Sequence, residues 1–304
     1  MPSPAFGLGV LRLADPRISL ASFASMGLAL AATAADGPVA WGWFALTVLG
    51  IFAIEVAKNA SGEVVDFESG VDLAVRPEDR SPFSGGKRVI VDKLLTRRET
   101  IGVAALCYLV GILVGLAIAA WREPGILWIG VLGVALAYFY HGSPFRLAYR
   151  GLGEVAVAIA YGPLIFAGTY LVQRDTLAPG ILWLSAPLAL LIGGFLWANE
   201  FPDYRADKAA GKRTLVVRLG RPLASRVFMG LMLVACLLIV LLPVFVVPRG
   251  ALLGAIAVVP AASAAHLLRD APEDTPRVIP AQARTLLAFV LYALGAGVGV
   301  VGGG

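Results

Sequence analysis

Charge is scarce in this chain of 304 residues: Asp, Glu, Lys and Arg together make up 15%, against about 25% in soluble globular domains. Cysteine is nearly absent. Cys107 and Cys236 stand inside apolar runs, where a small buried hydrophobe is expected, so a disulfide scaffold and a thiolate metal centre are both excluded. His141 and His266 are too few and too far apart in sequence for a histidine-ligated metal, and each reads as packing at a helix end. What fills the space is apolar: 59% hydrophobic residues, 35 glycines and a mean hydropathy of +0.82. Such a composition leaves too little polar surface for a soluble domain and points to a polytopic membrane protein.

A membrane-crossing helix needs roughly 20 apolar residues. Nine segments meet this, at about 19–35, 39–57, 100–120, 125–141, 152–172, 180–199, 224–246, 250–268 and 284–301. The expected fold is therefore an all-α bundle of nine transmembrane helices with cytoplasmic cap loops, in a single domain over 1–304. The first segment, preceded by Arg12 and Arg17 and ending in a run of small residues, shares features with a cleaved leader. It is read as a retained span because the topology closes with it in place.

Lysine and arginine give the orientation. With the N-terminus inside, alternation puts 1–18, 58–99, 142–151, 200–223 and 269–283 on one side. Together with Arg226 and Arg284 they hold 22 of the 25 basic residues. Arg122, Arg174 and Arg249 face the other way. This bias marks the first side as cytoplasmic, in what is expected to be a bacterial inner membrane. The net charge of +5 then reads as topology, and no nucleic-acid partner is implied. The long inner loops, 58–99 and 200–223, also hold most of the acids, and long loops in compact folds usually carry function.

Two acidic runs begin where apolar segments reach that side. In the first, Asn59, Glu63 and Asp66 are spaced i, i+4, i+7, with Asp72 further on; in the second, Asn199, Asp203 and Asp207 are spaced i, i+4, i+8. On a helix each set shares one face, and like carboxylates at that spacing repel by a few tenths of a kcal/mol per pair (~0.2–0.5). Taken singly, either run fits a solvated interfacial loop. Two matching runs call for something positive between them. Mg²⁺ suits, because it is commonly held by one or two carboxylates plus substrate phosphate oxygens and water. Lys87, Arg88, Arg146, Arg150, Lys212 and Arg213 lie on the same side to neutralise a diphosphate.

The second run and its continuation, Asp203-x-x-x-Asp207-x-x-x-Gly211-Lys212-Arg213-Thr214-Leu215-x-Val217-Arg218-x-Gly220, resemble the second aspartate-rich motif of the UbiA superfamily of intramembrane prenyltransferases. The likeness is greatest to the 1,4-dihydroxy-2-naphthoate polyprenyltransferase branch. Tyr138 to Glu154, with Ser143-Pro144-Phe145-Arg146 and Gly151-Leu152-Gly153-Glu154, is similar to that branch too, as are Gly162-Pro163-Leu164 and Gly168-Thr169-Tyr170. The first motif departs from it: Gly62 and Glu63 stand where the branch usually carries Asn-Asp, while Asp66, Phe67, Gly70, Val71 and Asp72 stay in register. Glu63 keeps the carboxylate but carries it one methylene further out.

The resemblance implies Mg²⁺-dependent transfer of a prenyl or polyprenyl group from its diphosphate to an aromatic acceptor within the membrane, as in quinone-type lipid (menaquinone) biosynthesis. It assigns Asp66, Asp203 and Asp207 as the catalytic acids and Glu63, Asp66, Asp72, Asn199, Asp203 and Asp207 as the metal set. Diphosphate contact falls to Asn59, Asn199, Arg146 and Lys212, with Lys87, Arg88 and Arg150 around them. Ser84-Gly85-Gly86-Lys87-Arg88 reads as a basic loop able to close over the site or to touch anionic lipid. Glu154 reads as a structural acid or as an acceptor-orienting group. Tyr138, Tyr140, Tyr149, Phe195 and Trp197 are the rings available to face an allylic cation. The same acids would serve a terpene cyclase or a transferase with a non-quinone acceptor. A secondary transporter fits less well, because its acids would be expected near the midplane.

Overall fold

The computed structural model describes residues 5–178 and 180–303, apart from the side chains of 16–18; Arg17 of the charge count lies outside the described side chains. Helix succeeds helix, with no strand among the described residues. A short α1 (Phe6–Leu13) leads into α2 (Pro16–Asp36), α3 (Trp41–Ser69) and a four-residue α4 (Val71–Ala74). After an irregular segment come α5 (Arg97–Trp121), α6 (Ile126–His141) and α7 (Gly153–Ile159), which passes through a π-turn at Ala160–Leu164 into α8 (Ile165–Arg174). The chain then forms α9 (Ser185–Ala209), α10 (Leu215–Leu219), α11 (Arg221–Phe245), α12 (Val258–Asp270, entered through a 3-10 stretch from Arg249) and α13 (Thr275–Gly302).

Among the described residues, eight helical segments are long and apolar enough to cross a membrane. They correspond to eight of the nine expected spans. The other, 125–141, is the 16-residue α6, whose rise of about 24 Å falls short of a hydrocarbon core of about 30 Å. Two boundaries moved more than the rest. The acidic runs, expected in loops 58–99 and 200–223, are the last turns of α3 and α9. Helix continues there because the run is buried in the bundle, where every backbone N–H and C=O needs a partner and an open loop would leave them without one.

The largest core joins α2, α8, α9, α11, α12 and α13 around fully buried Phe166, Phe201, Phe228 and Phe289. Lipid tails are as apolar as leucine, so close backbone approach has to supply the attraction between helices. At Gly250 and Gly299 a Cβ on either residue would collide with the other's backbone, and one turn along a Cβ on Gly295 would collide with the backbone of Leu253 and Gly254. α5 starts on a capping box, Thr96 accepting from the Glu99 amide while Glu99 accepts from the Thr96 amide. Its start and the ends of α3, α6 and α9 meet at one end of the bundle, where the regularly spaced acids and the 80–96 segment gather.

Candidate active site

Lys212 is the hub of that end. Gly211, at φ 74°, follows α9 in the left-handed conformation and turns the chain back. The Lys212 amide then donates to the Asp207 carbonyl (2.8 Å), and the Arg213 amide to the Tyr149 carbonyl (3.1 Å). The Lys212 ammonium consequently lies 3.7 Å from both Asp66 of α3 and Asp207 of α9, so one cation bridges the two acidic runs. Burial works against its charge, but Asp207 and Asp66 outweigh burial and hold Lys212 well above the usual lysine range. Thr214 caps the next helix by accepting from the Val217 amide, and Glu154 accepts from the Leu215 amide at 2.7 Å. Glu154 is thus a structural acid that pins the lysine-bearing turn to α7.

Asp66 is the most heavily supported acid. The Tyr149 hydroxyl donates to its Oδ1 at 2.6 Å, and His141 Nε2 lies 3.7 Å from its Oδ2. His141, expected as packing, therefore sits at the site. It also accounts for Gly62, since a Cβ at 62 would run into the His141 ring. Burial and the Asp66 charge push the Tyr149 hydroxyl well above the ordinary tyrosine range, so it stays a donor. Arg146, at φ 45°, lays its guanidinium 4.1 Å from the centre of the Tyr149 ring, on the same face of the site.

Two other members of the first run already have partners. Asn59 donates its amide to the Leu13 carbonyl of α1 (2.8 Å), away from the diphosphate position expected for it, and Glu63 Oε1 accepts from the Ile90 amide (3.0 Å). Asp72, placed beyond the left-handed Gly70 that ends α3, is 1% exposed with Oδ2 unpartnered. Burial, with Glu63 and Asp66 nearby, pushes its carboxyl up to about 8. The second run is different: Asn199 Oδ1, Asp203 Oδ1 and Asp207 Oδ1 are all buried without a hydrogen-bond partner.

The remaining cations divide. Lys87 pairs with Asp15, and Arg88 donates to the Asp72 carbonyl and approaches Asp92 at 3.6 Å, which keeps both over the acids. Arg150 is exposed and donates to the Pro144 carbonyl (3.0 Å). Among the rings, Tyr140 and Tyr149 flank the site; Phe195 packs on Phe83 and Phe289, and Tyr138 is half exposed against Phe139.

An apolar cavity of about 190 Å³ runs from this end between α2, α3, α5, α6 and the α7–α8 helix, lined by Gly115, Gly130 and Gly133 among aliphatic residues. Its polar wall holds residues the sequence reading passed over. Glu55 accepts from Ser22 (2.7 Å) and Tyr161 (3.1 Å), and the Lys58 ammonium reaches the Tyr161 hydroxyl (3.5 Å) and the Tyr140 ring. The available signal was an acid and a base one turn apart at the end of an apolar run, which marks a functional site by default.

The oxygen-only donors suit a hard cation, and three buried oxygens on α9 make no hydrogen bond, that of Asp207 having only the Lys212 ammonium 3.7 Å away. No three His, Cys, Asp or Glu side chains converge on one point among the described residues. That fits an ion held by one or two carboxylates with phosphate and water completing its shell.

Comparison with known proteins places this arrangement. The profile of the UbiA prenyltransferase family matches residues 20–286. The chain is 31% identical over 186 residues to the 2-carboxy-1,4-naphthoquinone phytyltransferase of Synechocystis, a match covering 60% of this chain and 57% of that protein. It is 29% identical over 271 residues to the 1,4-dihydroxy-2-naphthoate octaprenyltransferase of Mycobacterium tuberculosis, covering 86% and 88%. The match thus spans little more than half the length of the first relative and most of the second. A solved UbiA homologue from Archaeoglobus fulgidus, bound to DMAPP and Mg²⁺, shares the fold with a TM-score of 0.69 at 14% identity, over 96% of this chain and 99% of that one. With its helices, its paired acidic runs and a profile match over most of its length, the chain belongs to the UbiA prenyltransferase family.

Proposed function

We propose that the protein transfers a prenyl or polyprenyl group from its diphosphate to an aromatic acceptor inside the membrane, with Mg²⁺, in the synthesis of a quinone-type lipid. The observation that carries this reading is the set of buried oxygens on Asn199, Asp203 and Asp207 that make no hydrogen bond, on the helix that Lys212 joins to Asp66, with an apolar cavity reaching Tyr140 and Lys58 at the same end. The naphthoate-prenylating names of the relatives and the DMAPP and Mg²⁺ of the Archaeoglobus homologue point the same way.

In the reaction the allylic C–O bond to diphosphate breaks, a bond to the acceptor ring forms, and the ring gives up a proton or a carboxyl group. Mg²⁺ would be held by one or two carboxylates at a time from among Asp203, Asp207 and Asp66, with Asn199 beside them, Asp72 behind, and diphosphate and water completing the shell. Bound Mg²⁺ supplies neutralisation of the charge that develops on the leaving diphosphate. Lys212 and Arg146 meet diphosphate oxygens directly, and fixed cations there stabilise the departing group more than the bound substrate. Tyr149 and His141 keep Asp66 oriented. The cavity takes the prenyl tail and excludes water, while Tyr140 presents a ring face to the developing cation. The acceptor's polar group meets Lys58 and Tyr161 on the cavity wall.

The membrane is a bacterial inner membrane, with the site at its cytoplasmic face; the placement of 22 of 25 basic residues on one side supports this. The test is to incubate purified protein with Mg²⁺, a polyprenyl diphosphate and, in separate arms, naphthoate, benzoate and homogentisate acceptors. Prenylated naphthoate is expected, and none in EDTA. A prenyl hydrocarbon formed equally well without any acceptor would overturn the transferase reading in favour of a cyclase.

A further inference from the structure

The segment between α4 and α5 lies across the acids with its backbone as well as with the Lys87 and Arg88 side chains. Gly85, at φ 92°, turns the chain with its amide near Asp203. Gly86, at φ 76°, sits so close to Asp72 that a Cβ there would collide with its carboxylate. The Ile90 amide donates to Glu63 Oε1 at 3.0 Å, and the amides of Arg88 and Val89 face the same carboxylate. Arg88 has φ 53°, the left-handed conformation that turns successive N–H groups inward to hold an anion. Glu63 is 4% exposed, and Val89 beside it is fully buried against Leu13 and Leu95.

From this we infer that Glu63 is a positioning residue, whose carboxylate anchors residues 85–90 as a lid over the diphosphate site instead of ligating the ion. Its length is what matters. An aspartate, as the family usually carries in this register, would stop about 1.5 Å short of the Ile90 amide. The departure from the family pattern is then the price of a lid fastened to α3, with ion binding left to Asp66 and the α9 acids. What the lid covers rests on the function proposed above; the anchoring does not.

Length and charge separate the two roles. Glu63→Gln keeps the reach and an acceptor oxygen but loses the charge. Glu63→Asp keeps the charge and loses the reach. Hydrogen exchange is measured at amides 88–90 in the full chain, purified in detergent without Mg²⁺. Anchoring predicts exchange on the order of tenfold faster in Glu63→Asp and within about threefold of wild type in Glu63→Gln. The KM for geranyl diphosphate follows the same order, and the Mg²⁺ concentration for half-maximal turnover does not move in Glu63→Gln. The reverse order overturns the proposal: Glu63→Gln needing tenfold more Mg²⁺ while Glu63→Asp keeps wild-type exchange would make Glu63 an ion ligand. A tenfold acceleration of exchange in Glu63→Gln alone would also overturn it. If wild-type protein turns over no prenyl diphosphate, the function fails while the exchange result still decides the anchor.

Discussion

The two acidic helix ends carry nearly the same pattern, an asparagine followed by acids one and two turns on, yet they are met by different surroundings. On α3, Asn59 holds the Leu13 carbonyl, Glu63 accepts from the Ile90 amide, and Asp66 accepts from Tyr149. On α9, one side-chain oxygen each of Asn199, Asp203 and Asp207 is buried with no hydrogen bond. A buried polar atom left unpaired costs about 1–3 kcal/mol. On the proposed reading α9 keeps its oxygens for a ligand, whereas most of those on α3 are engaged by the surrounding wall and by the 85–90 segment. Matching spacing shows that two helices face a common centre; it does not show that they do the same work there.

The largest effect should come from the α9 side. Asp203→Asn removes a carboxylate that Mg²⁺ would draw on and is expected to lower prenyl transfer by more than about a hundredfold, with the protein still inserting and purifying. Its melting temperature should hold, because the amide has nearly the carboxyl's size and shape and the Asp203 Oδ1 it replaces makes no hydrogen bond. Full activity in the presence of Mg²⁺ would refute the assignment of α9 as the ligand half.

Next comes the residue that joins the two runs. Lys212→Met leaves Asp66 and Asp207 facing each other without the cation that now lies 3.7 Å from each. Breaking a buried pair this way destabilises by about 3–5 kcal/mol, and the lower end applies here because the lysine is partly solvated. The melting temperature measured in EDTA should fall clearly, and added Mg²⁺ should recover part of the loss by supplying the missing charge. An unchanged melting temperature in EDTA would mean that the two runs do not share Lys212.

How much of this the residues disclosed depends on what each signal measures. Apolar runs and lysine–arginine placement report a free-energy balance over some twenty residues, so the spans and the membrane class could be read at once. The acids could be named from spacing, because periodicity puts them on one face. Which acids were already satisfied could not be read. The partner of Asn59 lies 46 residues away and that of Glu63 lies 27 away, both on segments whose path depends on the packed bundle. His141 looked like packing for the same reason: its neighbours Gly62 and Asp66 are on another helix. The helical spacing of the acids past the apolar stretches of α3 and α9 was legible, but their burial was not, because polarity was taken as exposure and the runs were assigned to cap loops.

The smallest effects sharpen the comparison furthest, because the two asparagines open the two runs in the same position and should fail differently. Asn59→Ala takes away the donor that satisfies the buried Leu13 carbonyl, so stability should drop by about 1 kcal/mol or somewhat more. KM for the diphosphate and the Mg²⁺ requirement should stay at their wild-type values. Asn199→Ala removes an oxygen that no protein group uses. Its melting temperature should stay level or rise slightly, while KM for prenyl diphosphate at limiting Mg²⁺ rises by a few-fold, roughly 1 kcal/mol of lost ligand binding. Thermal melts and initial rates across a Mg²⁺ series read both arms. If the two variants lose stability alike and leave substrate dependence alike, the runs are equivalent and the division of labour between α3 and α9 is wrong. A crossed result, stability lost on one side and affinity on the other, is what one satisfied asparagine and one waiting asparagine require.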